Sequence, residues 1–325
     1  MLLSQFEGKK VLFFGGKGGV GKTSLASATA LGLAQRGRRV LVVSTDPAHN
    51  LGHLWRARLG DEATLVAEAG SGGTVHAVEI DPQRTVDRHL AAVGQTMRKM
   101  LPERMHTAAE RHLRLARQAP GTHESAMLER IAEAVEAGAH EYDLTIFDTA
   151  PSGHTLRLLA LPEQLGGWTE QLLANRDRSE RFSAALRGLT PGAEDGPDRR
   201  DAQLRRVLIK RRERFANLHR LVTNRDECGF VIALAAEPLP VAESVELAER
   251  LGELAIPIAA LIANRRSPAD AGELLAARRE AEDRQLALLR GRLPKIPITE
   301  VPLLSGELLG QQALSRLAQE LFGEI

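Results

Sequence analysis

The stretch Val11-Leu12-Phe13-Phe14-Gly15-Gly16-Lys17-Gly18-Gly19-Val20-Gly21-Lys22-Thr23-Ser24 constrains the chain more than any other. Its apolar start predicts a buried strand, its glycines a tight loop, and Thr23 to Gln35 a helix leaving that loop. From Gly16 the letters fit Gly, four residues, Gly-Lys-Ser/Thr, a phosphate-binding pattern. Backbone N–H groups surround polyphosphate oxygens only where side chains do not crowd them, and a helix N-terminus adds positive potential. Gly16, Gly18, Gly19, Val20, Gly21 and Ser24 belong to such a cradle, Lys22 reaches the β- and γ-phosphates, and the Thr23 hydroxyl binds Mg²⁺. A glycine-rich turn without a ligand is the competing reading.

Composition limits the rest. The 325 residues exceed the common single-domain size, yet a large α/β unit with an insertion can be one domain. A formal charge of +1 gives no global case for nucleic acid or an acidic membrane surface, so no nucleic-acid partner is expected. The single cysteine, Cys228, excludes an intramolecular disulfide and an all-cysteine metal cage within one chain. The chain enters its first strand without an apolar signal region, and no apolar run reaches membrane-spanning length. A cytoplasmic protein without a membrane span is the expectation.

Along the chain, apolar runs alternate with helical patterns, which predicts a doubly wound, mostly parallel α/β sheet. Further strands are expected at Arg39 to Thr45, His76 to Ile80, Leu144 to Phe147, Phe230 to Ala235, Ile258 to Ala263 and Ile298 to Val301. Helical spacing marks the tract from Thr85 to Arg117, the face Met127, Leu128, Ile131, Ala134 and Val135, and the tail from Ser305 to Phe322. The region from Glu163 to Arg220 breaks this rhythm. Its centre, Thr190 to Asp198, is rich in turn formers, and apolar faces lie on either side, with Leu204, Val207, Leu208, Phe215 and Leu218 on the second. It reads either as helices packed on the core with a solvated basic face or as a partner-binding helical insertion in a single 1–325 domain.

Two further stretches carry chemistry. An acid at the carboxyl end of a strand beside a phosphate loop can sit near Mg²⁺ or attacking water, and Asp46, in Ser44-Thr45-Asp46-Pro47-Ala48-His49-Asn50-Leu51, has that position. An ordinary Asp-Pro turn is the alternative there. The strand ending in Asp148 is the arrangement that holds Mg²⁺ through its water shell, and the Pro/Gly segment after it is suited to sensing a γ-phosphate.

These motifs resemble a family. Lys17, which an ordinary phosphate loop does not require, makes the loop similar to the deviant form found in septum-positioning, chromosome-partitioning, nitrogenase-iron and arsenite-pump ATPases. Asp-Pro-Ala-His-Asn-Leu at 46 to 51 and Asp-Thr-Ala-Pro-Ser-Gly-His-Thr-Leu-Arg at 148 to 157 look like the switch motifs of the arsenite pump-driving, anion-transporting ATPases. That family also includes the ATPases that target tail-anchored membrane proteins. Pro120-Gly121 with Glu124, Ala236-Glu237-Pro238-Leu239 with Glu243, Asn264, and Val301-Pro302-Leu303 extend the likeness over nearly the whole chain.

The resemblance implies ATP hydrolysis with Mg²⁺ in a homodimer, because the chain has one phosphate loop where the pump ATPases have two linked halves. It implies that Asp46 orients the attacking water, that Lys17 reaches the partner's nucleotide, and that Asp148 holds Mg²⁺ through water. It further implies adenine recognition by Asn264, packing of Pro302 and Leu303 on the base, and a cross-subunit approach by Glu237. His49 and His154 become switch residues rather than metal ligands. The partner would be a membrane pump subunit, a hydrophobic client of a targeting factor, or a surface bound by an ATP-switched scaffold. Two departures bear on that choice. The metalloid-binding cysteine trio and the zinc-clamping Cys-x-x-Cys pair of relatives are absent, and none of the five methionines lies between Glu163 and Arg220, where a client groove would be expected.

Overall fold

The structure, a computed structural model, describes residues 2–46, 50–100, 103–117, 122–149 and 198–323. In chain order the elements are α1 (Leu2–Phe6), β1 (Val11–Gly15), α2 (Lys22–Ala34), β2 (Arg39–Ser44), α3 (Asn50–Trp55), β3 (Thr64–Glu68), β4 (Thr74–Glu79), α4 (Pro82–Met100), a 3₁₀ turn (Glu103–Met105), α5 (His106–Ala116), α6 (Thr122–Glu141), β5 (Leu144–Asp148), α7 (Asp198–Thr223), β6 (Cys228–Ala235), α8 (Pro238–Glu253), β7 (Ile258–Arg266), α9 (Glu273–Arg292), β8 (Ile298–Pro302) and α10 (Gly310–Phe322). They divide into a unit of Met1–Asp81, Glu133–Arg157 and Leu221–Ile325 and a second of Pro82–Ala132 and Leu158–Arg220.

The first unit holds one eight-stranded sheet in the order β3-β4-β2-β5-β1-β6-β7-β8. Every neighbouring pair is parallel except β3 with β4. Parallel strands require crossovers that bring helices against the faces, so central strands must be apolar on both sides. β1 and β5 accordingly are buried at every residue. Leu12 and Phe14 enter one apolar core with α2 and α10. On the opposite face Phe13 stacks on Phe147 at 5.0 Å and lies 6.4 Å from Phe230. Truncating one of these rings to alanine costs about 3–5 kcal/mol, so the centre of the sheet is where the fold is most sensitive.

β3 was not visible as a run of apolar letters because it is an edge strand, partly solvated on both faces, with only Ala67 buried. The other expected strands are present, with ends that differ by one to three residues: those at 39 and 76 stop one residue earlier than expected, while β5 to β8 run longer. The tail helix begins later than its apolar pattern, at Gly310, because Gly306 and Gly310 both adopt positive φ, at 84° and 80°.

In the second unit, α4 and α5 run antiparallel. Asp87 meets Arg117 at 2.6 Å, Gly94 faces Leu113, and Arg98 meets Glu110 at 2.8 Å. His89 Nδ1 lies 2.8 Å from Glu129 of α6. Of the expected 163–220 insertion, residues 163–197 and with them most of the turn-rich centre lie outside the described residues, while α7 continues it with Phe215 and Leu218 buried.

Cys228 opens β6 opposite Val11 and is fully buried. Burial pushes its thiol up to about 12, with Lys9 and the Gly229 amide opposing. Its reaction with a disulfide reagent at pH 8 should therefore follow unfolding: negligible in native buffer and stoichiometric in denaturant. Rapid native labelling would show that the start of β6 opens locally.

Candidate functional site

The site begins in the register of three adjacent strands. Asp148, the last residue of β5, pairs with Phe14 of β1 on one side and Ser44 of β2 on the other. The ends are tied together: the Thr45 N–H donates to the Asp148 carbonyl at 2.9 Å, and the Thr149 hydroxyl donates to the Phe14 carbonyl at 2.7 Å. Asp148 is thereby held at the carboxyl end of the strand next to β1, where the glycine loop starts, and Asp46 just past the end of β2, one strand further out.

That loop has no room for side chains at its two ends. Gly16 has φ 138°, and a Cβ there would sit 2.1 Å from the Ala233 carbonyl oxygen. Gly21 has φ 91°, and a Cβ would meet Asn264 Nδ2 at 2.5 Å. Gly21 is also the N-cap of α2 and makes no side-chain cap, so the first-turn N–H groups that include Thr23 and Ser24 are left for an anion.

Two charges are buried beneath it. Lys22 is 6% exposed and donates to the Lys17 carbonyl at 3.0 Å. Burial holds its ammonium below the ordinary lysine range, while Asp148 and Asp46 raise it. Asp148 is 1% exposed; its Oδ2 accepts from the Thr23 hydroxyl at 2.8 Å and more weakly from Ser44 Oγ at 3.4 Å, and its Oδ1 has no hydrogen-bond partner among the described residues. Burial pushes this carboxyl up to about 7, against the Thr23 bond and the Lys22 charge, with Asp46 adding to the rise. A buried oxygen without a donor beside a threonine hydroxyl is a set of hard oxygen atoms that fits hydrated Mg²⁺. No group of three or more His, Cys, Asp or Glu side chains that could hold a metal ion exists among the described residues.

Asp46 is half-buried, with its N–H 3.3 Å from Ser44 Oγ. Pro47 to His49, and His154 with the rest of the second switch motif beyond Thr149, lie outside the described residues. The chain resumes in α3, whose Leu51 and Gly52 N–H groups donate to Glu79 Oε1 at 3.0 and 3.2 Å, and whose Trp55 Nε1 donates to Ser27 of α2 at 3.1 Å.

The other predicted residues flank the loop on the β6–β7–β8 side. Lys17 forms a 3.1 Å ion pair with Glu243 of α8 in its own chain. Glu237 is exposed at the N-cap of α8 and accepts from Arg278 at 3.0 Å. Asn264 is buried; its Nδ2 donates to the Val20 carbonyl at 2.9 Å and its Oδ1 accepts the Arg265 N–H at 3.0 Å. Pro302 and Leu303 are exposed at the end of β8, and the Leu303 N–H donates to the Arg266 carbonyl at 2.9 Å. Lys17, Glu237, Leu239, Arg265 and Arg278 help to line a cavity of about 320 Å³ beside Gly18 to Val20.

Three participants escaped the sequence reading. Ser44 supports Asp148, Arg265 touches the glycine loop, and Arg266 is buried among Glu282, Asp283 and Glu300. Only the tandem arginines after Asn264 offered any signal, and arginine pairs in loops are common.

A profile of the family described as anion-transporting ATPase matches residues 9–323. The chain is similar to ATPase GET3B of Arabidopsis thaliana, with 31% identity over 323 residues covering 94% of this chain and 77% of that protein. It is also similar to the putative arsenical pump-driving ATPase 2 of Aquifex aeolicus, with 29% identity over 311 residues covering 95% and 98%. An arsenical pump-driving ATPase of Escherichia coli is 31% identical over 314 residues, 95% of this chain but 49% of that protein.

Asp148 should leave a pH signature in the nucleotide-free protein. Its carboxyl titrates at about 7 when folded against an ordinary 3.8, so folding favours the protonated form. Stability from this group is therefore full below pH 4, declines as pH rises towards 7, and is gone above it. The melting temperature of Asp148→Asn relative to wild type should rise from pH 5 to pH 7 and level off by pH 8. A difference independent of pH would mean that the carboxyl is ionised throughout.

Proposed function

We propose, from the premise that the chain belongs to the anion-transporting ATPase family, that it hydrolyses Mg·ATP to ADP and phosphate as a cytoplasmic homodimer and uses the cycle to drive a partner. The observation that carries this reading is the buried Thr23–Asp148 pair beside Lys22, under a loop whose glycines exclude side chains.

In this reading water attacks the γ-phosphorus and ADP leaves. Asp46, at the end of β2, orients the water. Lys22 and the N–H groups of the loop and first helical turn stabilise charge spread over the phosphoryl oxygens, where removing one such donor typically costs a factor of about 10²–10³ in rate. Thr23 and, through water, Asp148 would hold Mg²⁺, which supplies further charge neutralisation. Lys17 exchanges Glu243 for the partner's nucleotide. The chain spans about half the length of one arsenical pump-driving relative and nearly the whole of another.

For the driven process we favour energising a membrane pump subunit, in keeping with the arsenical pump-driving relatives. No helix among the described residues is long and apolar enough to cross a membrane, so transport in this reading needs a separate membrane partner. The single cysteine is buried and burial pushes its thiol up to about 12, so it presents no exposed thiolate to arsenite. That observation also supports a second reading, an ATP-gated targeting chaperone whose client surface lies in the 163–220 region.

Asp46→Asn should bind ATP with nearly unchanged affinity and lose at least about 100-fold in turnover. Lost binding would make Asp46 structural instead. The same variant, trapped with ATP, should retain its partner in a pulldown: a membrane carrier supports the pump, hydrophobic helices the chaperone. Lys17→Ala should abolish ATP-dependent dimerisation, seen by light scattering, and reduce hydrolysis with it. Unchanged dimerisation and hydrolysis would end the cross-dimer role.

A further inference from the structure

Arg265 has an unusual backbone. It is a non-glycine residue at φ 59°, a conformation that costs an arginine free energy and persists only where neighbours enforce it. Both neighbours do. Asn264 is buried and receives the Arg265 N–H on its own Oδ1. Arg266 is 1% exposed in its side chain, bonds Glu282, Asp283 and Glu300, and holds the Leu303 N–H through its carbonyl. Between these anchors the Arg265 side chain is exposed, yet its Nη1 donates to the Gly19 carbonyl at 3.1 Å.

The next carbonyl of the loop is held by the preceding residue, since Asn264 Nδ2 donates to Val20 O at 2.9 Å. The orientation of that amide is fixed, because its oxygen is already committed to the Arg265 N–H. Consecutive residues of β7 thus hold consecutive carbonyls of the phosphate loop. The peptides of the described residues are trans, and a trans peptide directs its N–H opposite its C=O. Fixing the Gly19 and Val20 carbonyls towards β7 therefore aims the N–H groups of Val20 and Gly21 away from it.

We propose that Arg265, together with Asn264, is a positioning residue for the phosphate loop: by holding the Gly19 and Val20 carbonyls it keeps the Val20 and Gly21 N–H groups aimed at phosphate oxygens before nucleotide arrives. This deepens the reading of the loop as an ATP site and rests on it. It assigns Asn264 a role in the nucleotide-free protein that does not depend on adenine. The strained φ supports the assignment, because relaxation of Arg265 would swing the guanidinium off Gly19.

The test uses the full chain and measures binding of pyrophosphate, ADP and adenosine by calorimetry. Arg265→Asn tolerates positive φ and Arg265→Gly relieves it, and both remove the guanidinium. Each should weaken pyrophosphate and ADP roughly fivefold, the value of about one hydrogen bond, and leave adenosine unchanged. In the ligand-free protein, amide exchange at Val20 and Gly21 should accelerate in both variants. A direct contact between Arg265 and phosphate would weaken binding without changing exchange in the free protein, and that outcome overturns the proposal. Unchanged affinity in both variants overturns it as well. Failure of the wild type to bind pyrophosphate or ADP would instead remove the nucleotide reading on which it rests.

Discussion

A carboxylate buried at the end of a parallel strand is costly unless something compensates its charge, and Asp148 is such a group. Its one clear hydrogen bond, from Thr23, joins the end of β5 to the first turn of α2. The strand beside β1 is thereby fastened to the helix that leaves the glycine loop. The second carboxylate oxygen is buried without a donor among the described residues. The raised affinity of this carboxyl for a proton and its suitability for a cation are the same fact: positive charge of either kind relieves the burial. Lys22 supplies only part of it, since burial also depresses its own ammonium. The charge of Asp148 is therefore incompletely compensated by the groups around it.

Much of this was legible in the letters because the constraints are local. Strands buried on both faces read as continuous apolar runs, and a parallel arrangement brings their carboxyl ends to one edge, whereas the order of the strands came only with the structure. Gly16 and Gly21 were readable because no other residue fits their conformation and contacts. What was not legible depends on long-range placement or on partial solvation. β3 is an edge strand whose side chains alternate imperfectly between water and protein. Ser44 is one of many serines until the register with Asp148 is known. Nothing local in the sequence marks Arg266 as buried, because its burial relies on carboxylates at least sixteen positions away. The relative identities of 29–31% fix the family and say nothing about which carbonyl Arg265 holds.

The Arg266 cluster shows how a buried cation is tolerated. The guanidinium bonds Glu282, Asp283 and Glu300, while Arg278, Arg279 and Arg290 neutralise those carboxylates from the solvent side. Such a network is weak evidence for stability, since the desolvation of each charge offsets much of the attraction. Its consequence here is geometric. It fixes the end of β7 next to the phosphate loop and the Leu303 backbone, and Arg278 extends it to Glu237 at the N-terminus of α8. The loop thus rests on a charged scaffold on one side and on the apolar core on the other.

The ion pair between Lys17 and Glu243 has both side chains 36% exposed. A pair this solvated is worth only about 0.2–1 kcal/mol, and at physiological ionic strength charges are screened over about 8 Å. The pair therefore restrains Lys17 without locking it, and added salt weakens the restraint further. The resting position of this lysine is set as much by the ionic composition of the medium as by the fold.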